Sequence, residues 1–338
     1  MRTPLTVVLA AGLLIAEAVC VPSLRAQASA PVPSTSHGTS NDARSGPPAI
    51  PRTPWGDPDL QGVWSSDDEA GVPFERPMGQ RKPKLGGTEL EALLEEREHR
   101  RVDTTAALFG LTGGGPVHWF ENWGHKSART SIVVDPVDGR VPPLTPDAEK
   151  RQARRPNPMG SFGAGPFNRP EDFSLYDRCI TRGLPAVMFP AIYNNNTRIV
   201  QSPGYVALTY EMIHETRVIP LDGRPFLSSR LRGYLGDARA RWEDDALVVE
   251  TRHFSDKTNY RGAAAGLHLV ERFRRTHRGL RYEVRVEDPE TFTRPWTAAL
   301  NLTRGRGLYE YACHEGNYAM RNMLSAARAA EAGKRNAR

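Results

Sequence analysis

Glu310, Cys313, His314 and Glu315 form the densest group of side chains able to move a proton or make a covalent bond. If the chain runs extended to residue 315, Glu310, Ala312 and His314 share a face, because side chains alternate along a strand. A carboxylate set against an imidazole is the ordinary means of holding a proton acceptor near neutral pH. His314 is therefore the candidate base or acid, with Glu310 orienting it and Glu315 beside them. The plainer alternative is that these residues cap a C-terminal helix and pair with arginines.

Glu211 and His214 invite a metal, yet their odd spacing in a strand sends them to opposite faces, and a metal needs three or four convergent ligands. Only a bulge at Met212-Ile213 would bring them together. No Cys cluster or His-x-His accompanies them, so neither a metal nor a cofactor is expected, and His214 counts instead among the ligand-contacting candidates. Arg182, Arg217 and Arg224 are the cations suited to an anionic group. Glu271 and Glu250 sit on strands otherwise made for burial, where a carboxylate needs a partner such as Arg182, Arg217, Arg224 or Arg272. Inter-strand ion pairs and a catalytic carboxylate pair both fit that pattern. Trp242 and Trp296 are either core or ligand-stacking groups. A Gly-x-Ser-x-Gly, a P-loop, a dinucleotide fingerprint and an EF-hand loop are all absent from the sequence.

The elements that must position these groups run from Asn196 to Asn317. Short β-type runs alternate apolar and polar residues between turn residues. Pro203-Gly204 separates Arg198–Gln201 from Tyr205–Tyr210, and His214–Leu221 stops at Asp222-Gly223. Asp244-Asp245 marks a tight hairpin between Arg239–Glu243 and Ala246–Arg252. Leu247, Val249 and Thr251 share a face; so do Leu267, Leu269 and Phe273, with Glu271 among them. Leu280, Tyr282, Val284 and Val286 alternate strictly with Arg281, Glu283, Arg285 and Glu287, and Trp296, Ala298, Leu300 and Leu302 repeat the pattern. So many consecutive strands must curl or close to hide their edges. The expected fold is mainly β, an antiparallel up-and-down barrel of lipocalin-like type with an N-terminal helical arm and a C-terminal helix. A barrel of this kind commonly holds one apolar or aromatic ligand in its mouth.

Ahead of the ladder, Arg2, the apolar stretch Leu5–Val19 and Ala26-Gln27-Ala28 read as a secretory signal over 1–28. Residues 29–54, rich in Ser, Pro and Thr, read as a disordered leader. The folded domain is expected over 55–332, with helical and loop insertions at about 87–190 and a disordered tail over 333–338. Thr88 begins an amphipathic helix to about Val102, Ser131–Asp135 and Arg140–Leu144 make a hairpin candidate, and Thr145-Pro146 starts a short helix. Asn317–Ala330 reads as a helix with Met320, Met323, Leu324 and Ala327 on one side.

Removal of 1–28 takes the formal charge of +6 down by one. Basic residues are scattered, so nucleic acid is not an expected partner. No apolar span follows the signal, so no stable membrane span is expected once it is cleaved; the oligomeric state is not legible. After cleavage only Cys179 and Cys313 remain. In an oxidising compartment such a pair reads as one disulfide, a reactive thiol being the competing reading.

Asp57-Pro58-Asp59-Leu60-Gln61-Gly62-Val63-Trp64 resembles the Gly-x-Trp start of lipocalin-like barrels. A longer series, Tyr176-Asp177-Arg178-Cys179-Ile180-Thr181-Arg182-Gly183-Leu184-Pro185, Glu211-Met212-Ile213-His214, Ile219-Pro220-Leu221-Asp222-Gly223-Arg224, Trp242-Glu243 with Leu247-Val248-Val249-Glu250-Thr251, Glu271-Arg272-Phe273, Pro295-Trp296 and Glu310-Tyr311-Ala312-Cys313-His314-Glu315-Gly316-Asn317, resembles the motifs of a large family of exported bacterial proteins over about Trp55–Glu331. The resemblance implies export and supplies no mechanism. Gly236–Arg241 and Asp244-Asp245-Ala246 depart from that pattern, both in a turn region. The expectation is an exported β-barrel that binds a small hydrophobic or aromatic molecule, with His314 and Glu310 able to act on it. A non-catalytic cell-envelope binding or scaffold module and a metal-dependent hydrolase are the alternatives.

Overall fold

A computed structural model describes residues 50–112, 127–153, 167–191, 193–258, 260–311, 313 and 316–336, with no side-chain description for residues 100–112 and 336. Contacts divide the chain into Met1–Gly46, which lies outside the described residues and contains the expected signal over 1–28, and Pro47–Arg338, which holds every element below. In chain order these are β1 (Gly62–Ser65), α1 (Gly87–Thr112), β2 (Val133–Asp135), α2 (Pro146–Ala153), β3 (Asn196–Ser202), β4 (Tyr205–Tyr210), β5 (Thr216–Pro220), β6 (Asp237–Glu243), β7 (Ala246–Arg252), β8 (His268–Thr276), β9 (Gly279–Glu287), β10 (Trp296–Arg304) and α3 (Ala319–Asn336).

The strands form one antiparallel sheet in the order β5-β4-β3-β1-β10-β9-β8-β7-β6. Since β1 pairs with both β3 and β10, the sequence order runs up and down around a nearly closed barrel, open only at the seam between β5 and β6. The two-residue turns between strands are the ones that the turn residues call for. Pro203-Gly204 joins β3 to β4 with Gly204 at φ 80°, and Asp244-Asp245 joins β6 to β7 with Asp244 at φ 52°, a conformation Asp tolerates.

Period-two alternation places one row of residues inside. Leu247, Phe273, Tyr282 and Leu300 lie side by side across β7 to β10, as do Val249, Glu271, Val284 and Ala298. All of these but the charged Glu271 form, with Trp64, Ile199, Leu208, Ile219 and Trp296, one continuous buried cluster in the barrel interior. Each large apolar side chain so buried stabilises the fold by roughly 2–3 kcal/mol. The outward row is polar, with Arg281, Glu283, Arg285 and Glu287 on β9 paired along and across the strands.

Gly62 explains the Gly-x-Trp start of β1. Its φ is +126°, and a Cβ there would lie 1.9 Å from the Arg304 guanidinium. That guanidinium stacks 4.2 Å from the Trp64 ring and donates to the Gln61 carbonyl. Structure is already present ahead of Trp55, where Thr53 is buried and Arg52 bridges to Pro58.

Three local expectations change. The hairpin expected over 131–144 does not form; β2 instead adds to β10 at Thr297 and Ala298, beyond the end of β1, because β10 is longer than its partner. The first helix runs to Thr112, and the last runs from Ala319 to Asn336, with Met320, Met323, Leu324 and Ala327 as its half-buried side. The short helix stands as read, capped by the Thr145 hydroxyl on the Ala148 N–H.

Candidate functional site

Three segments that the sequence gives as separate motifs meet at one end of the barrel. The turn 211–215 joins β4 to β5 and holds Ile213 at φ 64° and His214 at φ 56°. A β-branched residue there is strained and persists only when its surroundings hold it. Backbone hydrogen bonds from the Tyr210 N–H to the Glu215 carbonyl at 2.9 Å and from the His214 N–H to the Glu211 carbonyl at 3.3 Å close the turn, and the Glu211 side chain, 1% exposed, anchors it to its neighbours. One carboxylate oxygen accepts from the Asn196 backbone and side-chain N–H groups at 3.1 and 2.7 Å, and the other accepts from the Tyr309 N–H at 3.0 Å. His214 is exposed, and its Nδ1 accepts from the Tyr311 N–H at 3.2 Å, leaving the ring proton on Nε2. The motif at 211–214 thus grips the strap that follows β10. Glu211 and His214 engage different backbone donors, and among the described residues no group of three His, Cys, Asp or Glu could hold a metal ion.

The strap is fastened a second time. Tyr311 donates its hydroxyl proton to Tyr176 at 2.9 Å, Tyr176 and Tyr193 share a hydrogen bond of 3.1 Å, and Cys313 forms a disulfide with Cys179. Burial pushes the Tyr176 and Tyr193 phenols up to about 12, and raises Tyr311 as well. All three are neutral hydroxyls at physiological pH. Glu310 points into solvent, while His314 and Glu315 lie outside the described residues.

The loop tied down by this network, 171–184, forms one wall of a cleft of about 560 Å³ at the barrel rim; Tyr234, Lys257 and Tyr260 form the other. Arg182 lies in this cleft, its guanidinium 4.6 Å from the centroid of the Tyr176 ring. The adjacent Arg178 is paired with Glu171 at 3.7 Å. Thr181 donates to Glu215 at 2.6 Å, which fixes the turn that carries Arg182. Burial pushes the Glu215 carboxyl up, against the opposing pull of the Thr181 hydroxyl and the Arg182 backbone N–H. Tyr260 continues inward, stacking 6.2 Å from Trp296, so the aromatic wall of the cleft is continuous with the core.

The other residues singled out in the sequence are dispersed. Arg217 and Glu271 meet inside the barrel at 2.8 Å, both essentially without solvent exposure. Arg217 also donates to Tyr210 at 3.0 Å and Thr251 at 2.8 Å, and Tyr282 donates to Glu271 at 3.2 Å. Burial, the largest single influence, would lower the Arg217 guanidinium, but the Glu271 and Tyr210 charges and the hydrogen bonds to both together outweigh it, and the net shift is upward. Trp296 is buried, and Trp242 is half-buried against the same core. Arg224 is on the surface, paired with Asp222 and donating to Tyr205 at 2.7 Å. Glu250 pairs with Arg252 and His268 on the outer wall. Of the named ligand contacts, Arg182 alone lines the rim cleft.

Tyr193, Tyr234, Lys257 and Tyr260 were not legible as site residues, because they come from loops with no periodicity of their own. One signal pointed to the place: pairing Cys179 with Cys313 already brings 176–182 beside 309–317. Among the described residues no helix is long and apolar enough to cross a membrane. Compared with known proteins, the chain matches no protein-family model, no curated protein and no solved structure.

Proposed function

We propose that the chain is an exported small-molecule-binding protein whose ligand lodges in the rim cleft rather than in the barrel lumen. The observation that carries this reading is the contrast between the two spaces. The lumen is occupied by the protein's own aromatic and aliphatic side chains and by the Arg217–Glu271 pair. The cleft, of a size usual for small-molecule sites, combines tyrosine side chains with an arginine that has no carboxylate partner among the described residues. Export is supported by the leader pattern of residues 1–28 and by the disulfide, which belongs in an oxidising compartment. The reading is one of binding, without a catalytic step: the phenols are neutral, and Glu211 and His214 are engaged with the strap.

Native mass spectrometry of the mature, oxidised protein purified from its own compartment tests it. The expected result is an adduct of a few hundred daltons, chemically unchanged, released by mild unfolding and absent from Tyr234→Ala protein. A bare mass, with hydrogen exchange in 171–184 unchanged when the protein is incubated with a small-molecule extract of that compartment, refutes it.

A further inference from the structure

We infer that the ligand of the rim cleft is a small aromatic monocarboxylic acid, its carboxylate on Arg182 and its ring against the tyrosines of the same cleft. This deepens the reading of the cleft as a binding site and rests on it. The charge arrangement of the lining points to a single negative charge. Six charged residues face the space, Glu171, Asp172, Arg178, Arg182, Asp256 and Lys257. Arg178 is occupied by Glu171, and Asp172 accepts the Asn168 and Arg169 N–H groups and pairs with Arg169. Asp256 accepts from the Ser255 hydroxyl at 3.3 Å. Arg182 and Lys257 have no carboxylate within ion-pair distance among the described residues; the six lining charges cancel, but Asp172 is answered by Arg169 from outside the lining, so with Asp256 set against one of the two cations a single positive charge is left over. A monoanion balances that excess; a dianion such as a phosphate monoester would also face three carboxylates.

Arg182 is also preorganised. Its guanidinium lies over the Tyr176 ring, and Tyr176 is held by Tyr193, Tyr311 and the neighbouring disulfide. A planar guanidinium held in this way presents its N–H fork without first ordering a flexible side chain, and that fork matches a carboxylate. Since burial keeps the Tyr176 and Tyr193 phenols neutral, no phenolate competes for Arg182 at physiological pH. Tyr234 and Tyr260 line the opposite wall, Tyr260 with its ring stacked on Trp296, and an aromatic lining favours a flat ring over a chain.

The test is calorimetric titration of the mature, oxidised protein with benzoate, cinnamate and 2-naphthoate and with their primary amides, in wild type, Arg182→Gln and Arg182→Lys. The acids are expected to bind about ten- to a hundredfold more tightly than the amides, the range of one charged hydrogen-bonded contact. Arg182→Gln is expected to erase the difference with an unchanged unfolding midpoint, and Arg182→Lys to restore part of it. Amides binding as tightly as acids, or a preference that survives Arg182→Gln, overturns the inference. So does the absence of saturable acid binding up to about 1 mM. The molecule carried in native mass spectrometry separates the two claims: a neutral adduct refutes the acid while leaving the binding site standing, and a failure of both experiments refutes the site itself.

Discussion

The seam between β5 and β6 is where the barrel lacks a backbone ladder, and Arg217 crosses it from the inside. From β5 it reaches Thr251 on β7 and Glu271 on β8, at 2.8 Å in each case. Replacing Arg217 by Met keeps most of the volume and removes the charge, leaving the Glu271 carboxylate at 0% exposure with the Tyr282 hydroxyl as its one remaining side-chain donor among the described residues. Breaking a buried pair from one side costs about 3–5 kcal/mol, because the surviving charge is uncompensated. The double variant Arg217→Met/Glu271→Leu removes both charges and should regain most of that loss, since an apolar pair of similar volume is often as stable as a buried ion pair. Urea unfolding of the oxidised protein, compared at equal m-value, measures both, and hydrogen exchange should rise in β5 and β6 of the single variant alone. A cost below about 1 kcal/mol for Arg217→Met, or a double variant no more stable than the single, refutes the view that one ion pair closes the seam.

Other outcomes follow from the same structure. The Cys179–Cys313 bond spans 134 residues, so the Cys179→Ser/Cys313→Ser protein should lose about 5 kcal/mol by the chain-entropy model; a denaturation midpoint unchanged by the double substitution contradicts this. Glu211→Gln puts a donor where an acceptor is needed and should cost about 2–3 kcal/mol, while His214→Ala, at an exposed site where water can replace the ring, should cost under about 1 kcal/mol; thermal unfolding that ranks them the other way sinks the assignment of Glu211 as the main grip on the strap. Tyr176, Tyr193 and Tyr210 are raised to about 12 from the ordinary value of 10, so the stability they contribute is complete below pH 10 and is lost as pH rises from 10 to 12. Ultraviolet titration should show a late phenol phase near pH 12, and a single phase near 10 in folded protein rules out the buried network.

Much of the barrel was legible because strand alternation and turn chemistry are local. The sequence rows Leu280–Val286 and Trp296–Leu302 each name their own inward face, and Pro203-Gly204 and Asp244-Asp245 name their own turns, so most of the strands and the antiparallel fold follow from short windows. Glu271 could be recognised as a carboxylate on an inward face in need of a cation, and Cys179 with Cys313 as the one available cross-link. Which cation, and what the cross-linked segments would pack against, were matters of tertiary structure. Four arginines were eligible for Glu271, and Arg217 takes it because β5 lies opposite β8 across an interior that only ring closure creates. The rim cleft was illegible for the same reason. Tyr176, Tyr193, Tyr260 and Lys257 sit in loops without period, and a loop's side chains have no face until the sheet beneath has closed and the strap has been drawn across its end. Periodicity belongs to the repeating backbone and is written in adjacent residues, whereas a cleft belongs to the distances between elements far apart in the chain.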